Sequence, residues 1–308
     1  MGYQILTDED LHRLLDMPAV IEIMEAAFLQ KAAGELTHPP RIHVNGKQGA
    51  MIFTAGESPG RGLGFRVYTM FKDADEKRKQ LVAVFDDETG AFKGAVIGTA
   101  VGELRTGAIG GVAVKHLARP AVQVLGVLGT GRQAVTQLQA ATAVRDFDRV
   151  LVFSRDPGGR ETFAGRMSAE LGLEIRPVDS ARAAVEPADV LLCCTTSPKP
   201  VFEPEWVRPG THVTTIGPHL KTAHELPVEA ALRSDLIVTD TRVQIEDMGA
   251  RHFLHGQIDP VQYIALSDLV AGNHPGRTRE DERTLFCSVG LAGTEVALAA
   301  EVLRLNLK

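Results

Sequence analysis

The residues best suited to chemistry lie in four places along the 308-residue chain. The first is Gly129-Thr130-Gly131-Arg132-Gln133-Ala134, a Gly-x-Gly-x-x-Ala turn of the kind that cradles a dinucleotide. Gly129 permits a sharp turn, Gly131 lacks the Cβ that would block a pyrophosphate, and Ala134 lets the next helix pack closely. The first-turn N–H groups of that helix then face the phosphates. The second is Ser154-Arg155, about 20 residues further on, where such folds read the adenosine ribose. An NAD-specific site prefers Asp or Glu there. Ser154 can donate to a 2′-phosphate and Arg155 can neutralise it, so NADP(H) is favoured with NAD(H) as the alternative. The third is a set of arginines, Arg41, Arg66 and Arg105, each in an otherwise apolar or small-residue stretch. A buried guanidinium needs an anionic partner, either a substrate carboxylate or an internal Asp or Glu. The fourth is His219, with His224 close by; a histidine after a sheet strand can serve as an acid or base.

These groups need elements to hold them. Val124–Leu128 is a short apolar run ahead of the glycine turn and reads as a buried parallel strand. Further strands are expected at 150–153, 173–177, 190–194, 213–216 and 236–239, with helices between most of them. That alternation predicts an α/β, Rossmann-type doubly wound parallel sheet over residues 120–289. Thr195 and Thr196 follow the fourth strand, so both are expected near the nicotinamide. The region before it is different. Thr7-Asp8-Glu9-Asp10 begins a short helix with a capping-box-like pattern, and Pro18 opens a second. Runs at 41–44, 51–54, 64–68, 81–85 and 91–98 read as strands joined by local hairpins. A small-residue helix follows at 99–117, and Arg119-Pro120 closes this α+β domain. A last helix at 291–305 is expected to return to it, so that 1–119 with 290–308 form a substrate and dimerisation domain.

Composition restricts the function classes. A formal net charge of −6 argues against nucleic-acid or anionic-membrane partners. No apolar run approaches the roughly 20 residues of a membrane span, and the first six residues lack the pattern of a signal peptide. Cys193, Cys194 and Cys287 form no C-x-x-C and read as small buried hydrophobes, which fits a reducing cytoplasm. His252 and His255 have H-x-x-H spacing without a third ligand, so no metal is expected.

Taken together, the motifs resemble the ornithine cyclodeaminase/μ-crystallin family over nearly the whole chain. The resemblance is carried by Pro40-Arg41, Gly64-Phe65-Arg66-Val67, Glu103-Leu104-Arg105-Thr106-Gly107-Ala108, the nucleotide turn, the loop from Gly217 to Leu226, and Leu285-Phe286-Cys287-Ser288-Val289-Gly290-Leu291-Ala292. It implies a homodimer joined through the first domains and a nicotinamide dinucleotide placed against a small amino or imino acid. By position it implies carboxylate clamps at Arg41 and Arg105, with Arg66 assisting, and a cofactor contact at Thr106. It also draws Ser288, Val289 and Gly290 into the cofactor set. Two positions depart from the family pattern. Arg66 stands where a Lys is usual, and a guanidinium does not readily pass a proton. His219 stands where the cyclodeaminase has an Asp that holds the substrate amine and a water. The expectation is therefore an NAD(P)-dependent oxidoreductase of the ketimine reductase or amino-acid dehydrogenase type, with Arg66 and His219 at the reacting centre. The alternatives are an ornithine cyclodeaminase using catalytic NAD and a μ-crystallin-like protein that binds NADPH and a small ligand.

Overall fold

The computed structural model describes residues 2–71 and 79–307. They divide into two compact units, Met1–Ala108 with Gly290–Lys308, and Ile109–Val289.

In the first unit the elements run β1 (Gln4–Thr7), α1 (Asp8–Leu14), α2 (Met17–Ala32), β2 (Ile42–Asn45), β3 (Gly49–Ser58), β4 (Gly62–Phe71), β5 (Gln80–Phe85), β6 (Phe92–Gly98) and the first half of α3 (Ala100–Leu117). The chain re-enters this unit at the final helix, Thr294–Leu305. The expected capping box forms, with Thr7 and Asp10 bonding reciprocally. The sheet order is β1-β6-β5-β4-β3-β2. Strands β2 to β6 are antiparallel neighbours, as local hairpins require, but β1 joins β6 in parallel. That pairing is not local, and so short a strand gives little period-2 signal. Alternate residues of the strands (Ile52, Val82, Val84, Val96) are buried with the apolar faces of α2 and the final helix, at Val20, Met24, Phe28 and Val296. The other face carries a ribbon of rings, Phe53–Phe65–Phe85–Phe92–Tyr3, with centroids 5.1, 6.5, 5.3 and 5.6 Å apart in turn. Ile42, Val44, Met51 and Leu63 are also exposed on these strands.

The second unit contains β7 (Val124–Leu128), α4 (Arg132–Val144), β8 (Arg149–Phe153), α5 (Pro157–Leu171), β9 (Ile175–Pro177), α6 (Ala181–Val185), β10 (Val190–Cys193), β11 (His212–Thr215), β12 (His219–Leu220), β13 (Ala223–His224), α7 (Val228–Leu232), β14 (Leu236–Thr239), α8 (Arg242–Met248), β15 (Ile264–Ala265), α9 (Leu266–Val270) and β16 (Thr284–Cys287). We number the final helix α10. The main sheet is parallel throughout, in the order β15-β14-β16-β11-β10-β7-β8-β9. Both faces are covered. Leu125, Val127, Val150, Val152 and Leu192 pack with Leu138, Phe163 and Met167 on one side. Val124, Leu128, Leu151, Leu191, Val213 and Leu285 pack with Val185, Ala231 and Ile245 on the other.

The expected doubly wound sheet is present, with two differences. Thr284–Cys287, not among the strands expected, is a full strand lying between β11 and β14, and the last helix, expected from residue 291, begins at Thr294. The unit boundary falls inside α3, between Ala108 and Ile109, and not after Arg119-Pro120. A helix without an interior Pro runs through a boundary as easily as it ends at one, so the Arg-Pro signal marked the helix end alone. The three cysteines are buried and free.

Candidate functional site

In the second unit the site begins at the carboxyl ends of β7, β8 and β10. Gly129 has φ +103°, and a Cβ there would lie 2.5 Å from the Cys194 carbonyl oxygen. Its N–H donates to the Phe153 carbonyl at 2.8 Å, which draws the turn against the end of β8. Gly129 is therefore required by the fold itself. Gly131 is different: a Cβ there would meet nothing within 4 Å. It is the N-cap of α4, and no side chain caps the helix. The space beside Gly131 and the uncapped first-turn N–H groups suit an anion such as a pyrophosphate. Ala134, in the first turn of α4, is fully buried, as its place in the motif requires. Thr130, Arg132 and Gln133 lie half-buried or exposed on the turn.

Ser154 and Arg155 follow β8 directly. Ser154 donates to the Asp156 carbonyl at 3.1 Å, and the Arg155 side chain is exposed. Thr195 sits at the end of β10, but its N–H and hydroxyl both donate to Glu225 Oε2 at 2.7 Å. Thr196 is exposed. Glu225 was not foreseen as a site residue. It is fully buried and also accepts from the Thr215 hydroxyl and the Gly217 N–H, at 2.9 and 2.7 Å. Burial pushes its carboxyl up, while these donors pull it back. It thus laces together the loops after β10 and β11. Nothing in its sequence surroundings separates it from a surface glutamate.

His219 is buried on β12 with its Nε2 2.8 Å from the Ser288 carbonyl. A carbonyl only accepts, so Nε2 carries a proton. The ring stacks at 6.4 Å on His252 and 6.1 Å on Phe253. Ser288 Oγ and the Val289 N–H donate to the buried carboxylate of Asp240, each at 3.1 Å. His219, Ser288 and Val289 are thus one connected group, while His224 is half-buried and bonds the Leu220 carbonyl. Among the described residues no cluster of three His, Cys, Asp or Glu could hold a metal ion.

The first unit holds the arginines. Arg66 on β4 and Arg105 on α3 are 4% and 5% exposed, and both approach one carboxylate oxygen, Glu295 Oε1 on α10, at 3.2 Å. Glu295 is itself buried; burial raises its carboxyl, but Arg66, Arg105 and Arg41 hold it below the usual carboxylate range. Arg66 is moved down by burial first, held up by Glu295, and lowered further by Arg105 and Arg41. It lies 4.6 Å from the Tyr68 ring centroid and 3.5 Å from Gln80 Oε1. Arg66 Nε, Arg105 Nε and Arg105 Nη1 are buried with no hydrogen-bond partner among the described residues. Two glycines make the room. A Cβ on Gly102 would lie 3.1 Å from Arg66 Nη1. A Cβ on Gly290 would overlap Arg41 Nη2 and lie 3.4 Å from Arg105 Nη1. Gly290, expected in the cofactor set, thus sits among the arginines. Thr106 returns its hydroxyl to the Gly102 carbonyl of its own helix at 2.7 Å. Both anionic partners weighed for these arginines bear on the site: an internal carboxylate is present, and it leaves donors over. Its signal in the sequence is a single acid inside the apolar run from Leu291 to Leu298.

A two-part arrangement of this kind, a Rossmann-type sheet with its glycine turn and a separate α+β unit with buried arginines, defines a dinucleotide-dependent class of protein. Residues 2–306 match the ornithine cyclodeaminase/mu-crystallin family, and the chain belongs to it. Among solved structures it is similar to the Delta(1)-pyrroline-2-carboxylate reductase of Thermococcus litoralis in complex with NADH and L-proline. That pair is 34% identical with a TM-score of 0.88, covering 98% of this chain and 97% of that one. It is similar also to the iminosuccinate reductase of Paracoccus denitrificans in complex with NAD+, at 26% identity, TM-score 0.90, and 100% and 97% coverage. An archaeal alanine dehydrogenase dimer with bound NAD is 29% identical, with TM-score 0.90 and the same 100% and 97% coverage.

Proposed function

We propose that this chain is an NAD(P)-dependent oxidoreductase acting on CH–NH or CH–NH2 groups, reducing a small imino acid at its α-carbon. The observation that carries this reading is the arginine cluster. Two buried guanidinium groups, Arg66 and Arg105, share one buried carboxylate with the half-buried Arg41 acting on it, and three nitrogens of the buried pair have no hydrogen-bond partner among the described residues. Leaving buried donors and charge uncompensated is costly, so the cluster suits an added carboxylate. Arg41 and Arg105 hold that carboxylate, and Arg66 assists. Residues 129–133, Ser154, Arg155, Thr195, Thr196, Ser288, Val289 and Thr106 serve the dinucleotide, with Gly290 giving the arginines room. Arg155 favours NADP(H) over NAD(H).

When bound, the nicotinamide ring exchanges a hydride with the substrate α-carbon. Reduction of the C=N bond also needs one proton at nitrogen. Arg66 is a poor source of it. His219 keeps its Nε2 proton on the Ser288 carbonyl, so its imidazolium form delivers the second proton, from Nδ1. A neutral or cationic His cannot replace the ionised Asp with which a cyclodeaminase holds an ammonium group and a water. The ring-lined, exposed sheet face of the first unit is the surface through which two copies pair.

The test is steady-state oxidation of NADPH and NADH against keto acids with ammonia or methylamine and against cyclic imino acids, beside proline formation from ornithine with catalytic NAD. Net consumption of reduced cofactor is expected, with little proline from the native protein and more from His219→Asp. Robust proline formation by the native protein would make it a lyase. Tight cofactor binding without turnover of any substrate would make it a binding protein.

A further inference from the structure

The hydrogen bonds around His219 run beyond its own contact. Its Nε2–H donates to the Ser288 carbonyl at 2.8 Å. The N–H at the other end of that same amide, on Val289, donates to Asp240 Oδ1 at 3.1 Å. The amide is trans, so its carbonyl and its N–H point in opposite directions. Asp240 Oδ2 accepts from the Ser288 hydroxyl at 3.1 Å, which fixes the carboxylate against the same residue. Asp240 is fully buried, and its negative charge helps burial to hold the Cys287 thiol protonated. An anion at the N–H end of an amide moves electron density toward the carbonyl oxygen, and hydrogen bonds in such a chain strengthen one another. The Ser288 oxygen is therefore a better acceptor for His219, most of all for its imidazolium form.

The neighbouring rings leave that role to His219. His252 stacks on it at 6.4 Å, but burial, then His219 and His255, lowers its pKa to about 4. Its Nδ1 accepts the Leu254 N–H at 3.3 Å. Phe253, at 6.1 Å, carries no charge. His224, the register partner of His219 across β12 and β13, is half-buried and bonds the Leu220 carbonyl.

We propose that Asp240 is a positioning residue for His219: through the single amide joining Ser288 to Val289 it fixes the ring with Nε2 protonated and strengthens its hold on a second proton, at Nδ1. The proposal rests on the oxidoreductase reading above and deepens it. As hydride reaches the α-carbon, the imidazolium gives its Nδ1 proton to the substrate nitrogen and returns to the neutral Nε2–H form. Asp240 keeps its charge throughout and acts only through the peptide.

The test is an NMR titration of the full chain labelled with 13C at histidine Cε1, in which His219→Asn identifies the His219 signal. Asp240→Asn keeps the shape and removes the charge. His219 should titrate lower in that variant by about 0.5 pH unit or more. Ser288→Ala loses the hydroxyl but keeps the amide, and should move the midpoint by less than half as much. A shift below about 0.2 unit in folded Asp240→Asn overturns the proposal. An equal shift in Ser288→Ala also overturns it, because the effect would then lie in local packing. If Asp240→Asn does not fold, the native protein still answers. The Val289 amide proton should move downfield with the His219 midpoint, and an unmoved amide overturns the proposal. In imine reduction, kcat/KM should fall above that midpoint, and Asp240→Asn should move the fall to lower pH by the same amount. A kinetic profile that stays put while the NMR midpoint moves overturns the catalytic use of the relay. Turnover of no imine removes the oxidoreductase reading, and the NMR midpoints then decide the relay by themselves.

Discussion

Replacing Arg105 by Ala separates a substrate clamp from a structural ion pair. Arg105 spends one nitrogen, Nη2, on Glu295 at 3.2 Å, and leaves Nε and Nη1 unpaired. A hydrogen bond to a charged group contributes about 1.5–3 kcal/mol, so two such bonds to a substrate carboxylate amount to roughly 3–6 kcal/mol. At about 1.4 kcal/mol per decade, kcat/KM should fall by roughly 10² to 10⁴. The fold should survive. Glu295 keeps Arg66 at 3.2 Å, and losing Arg105 also relieves its repulsion of Arg66. A loss of about 1–2 kcal/mol is then expected, or a few degrees in Tm. Arg105→Lys keeps the charge without the planar fork and should recover only part of the activity. Substrate kinetics, thermal unfolding and a fluorescence titration of the dinucleotide are the three assays. The dinucleotide Kd should stay within about twofold, since a phosphate-binding turn in the other unit needs nothing from Arg105. A fall in kcat/KM of less than tenfold would refute the clamp. Loss of cooperative unfolding together with dinucleotide binding would make Arg105 a brace for Glu295 and nothing more.

Three further outcomes follow from four positions. Arg155→Ala should weaken NADPH binding by about ten- to a hundredfold, one charge-assisted contact, and leave NADH nearly unchanged; a native preference for NADH refutes the 2′-phosphate assignment. Gly131→Val should abolish dinucleotide binding at nearly constant Tm, because its Cβ meets no protein atom within 4 Å. Gly129→Ala should instead lower Tm by several degrees, because of φ +103° and the Cys194 carbonyl; similar unfolding of both variants would refute the distinction. Burial, then Arg277 and Arg145, holds His212 neutral with a pKa lowered to about 3. Its folded value is below the unfolded one of about 6.5, so the stability it contributes is complete above about pH 6.5. That stability drains as pH falls toward 3, by up to about 1.4 kcal/mol per unit. Urea unfolding of His212→Asn should show a shallower acid slope than the native protein, and an unchanged slope would refute this account.

The glycine turn, the strand before it and the helix after it were legible in the sequence, because each depends on neighbours within a few residues. The antiparallel strands of the first unit were legible for the same reason: hairpins are local. Three features depended on contacts between distant segments, and periodicity carries no record of those. Strand β1 pairs with β6 across most of the first unit. Strand β16 enters the sheet between β11 and β14 although it comes after both in the chain. Glu295, far from Arg66 and Arg105 in sequence, reaches both at 3.2 Å. The sequence alone determined that three arginines sit in apolar surroundings and must find an anion. Only the tertiary structure decided that one carboxylate of the chain meets two of them, and that donors are left over. An ion pair forms wherever folding brings opposite charges together, and no local propensity specifies which ones meet.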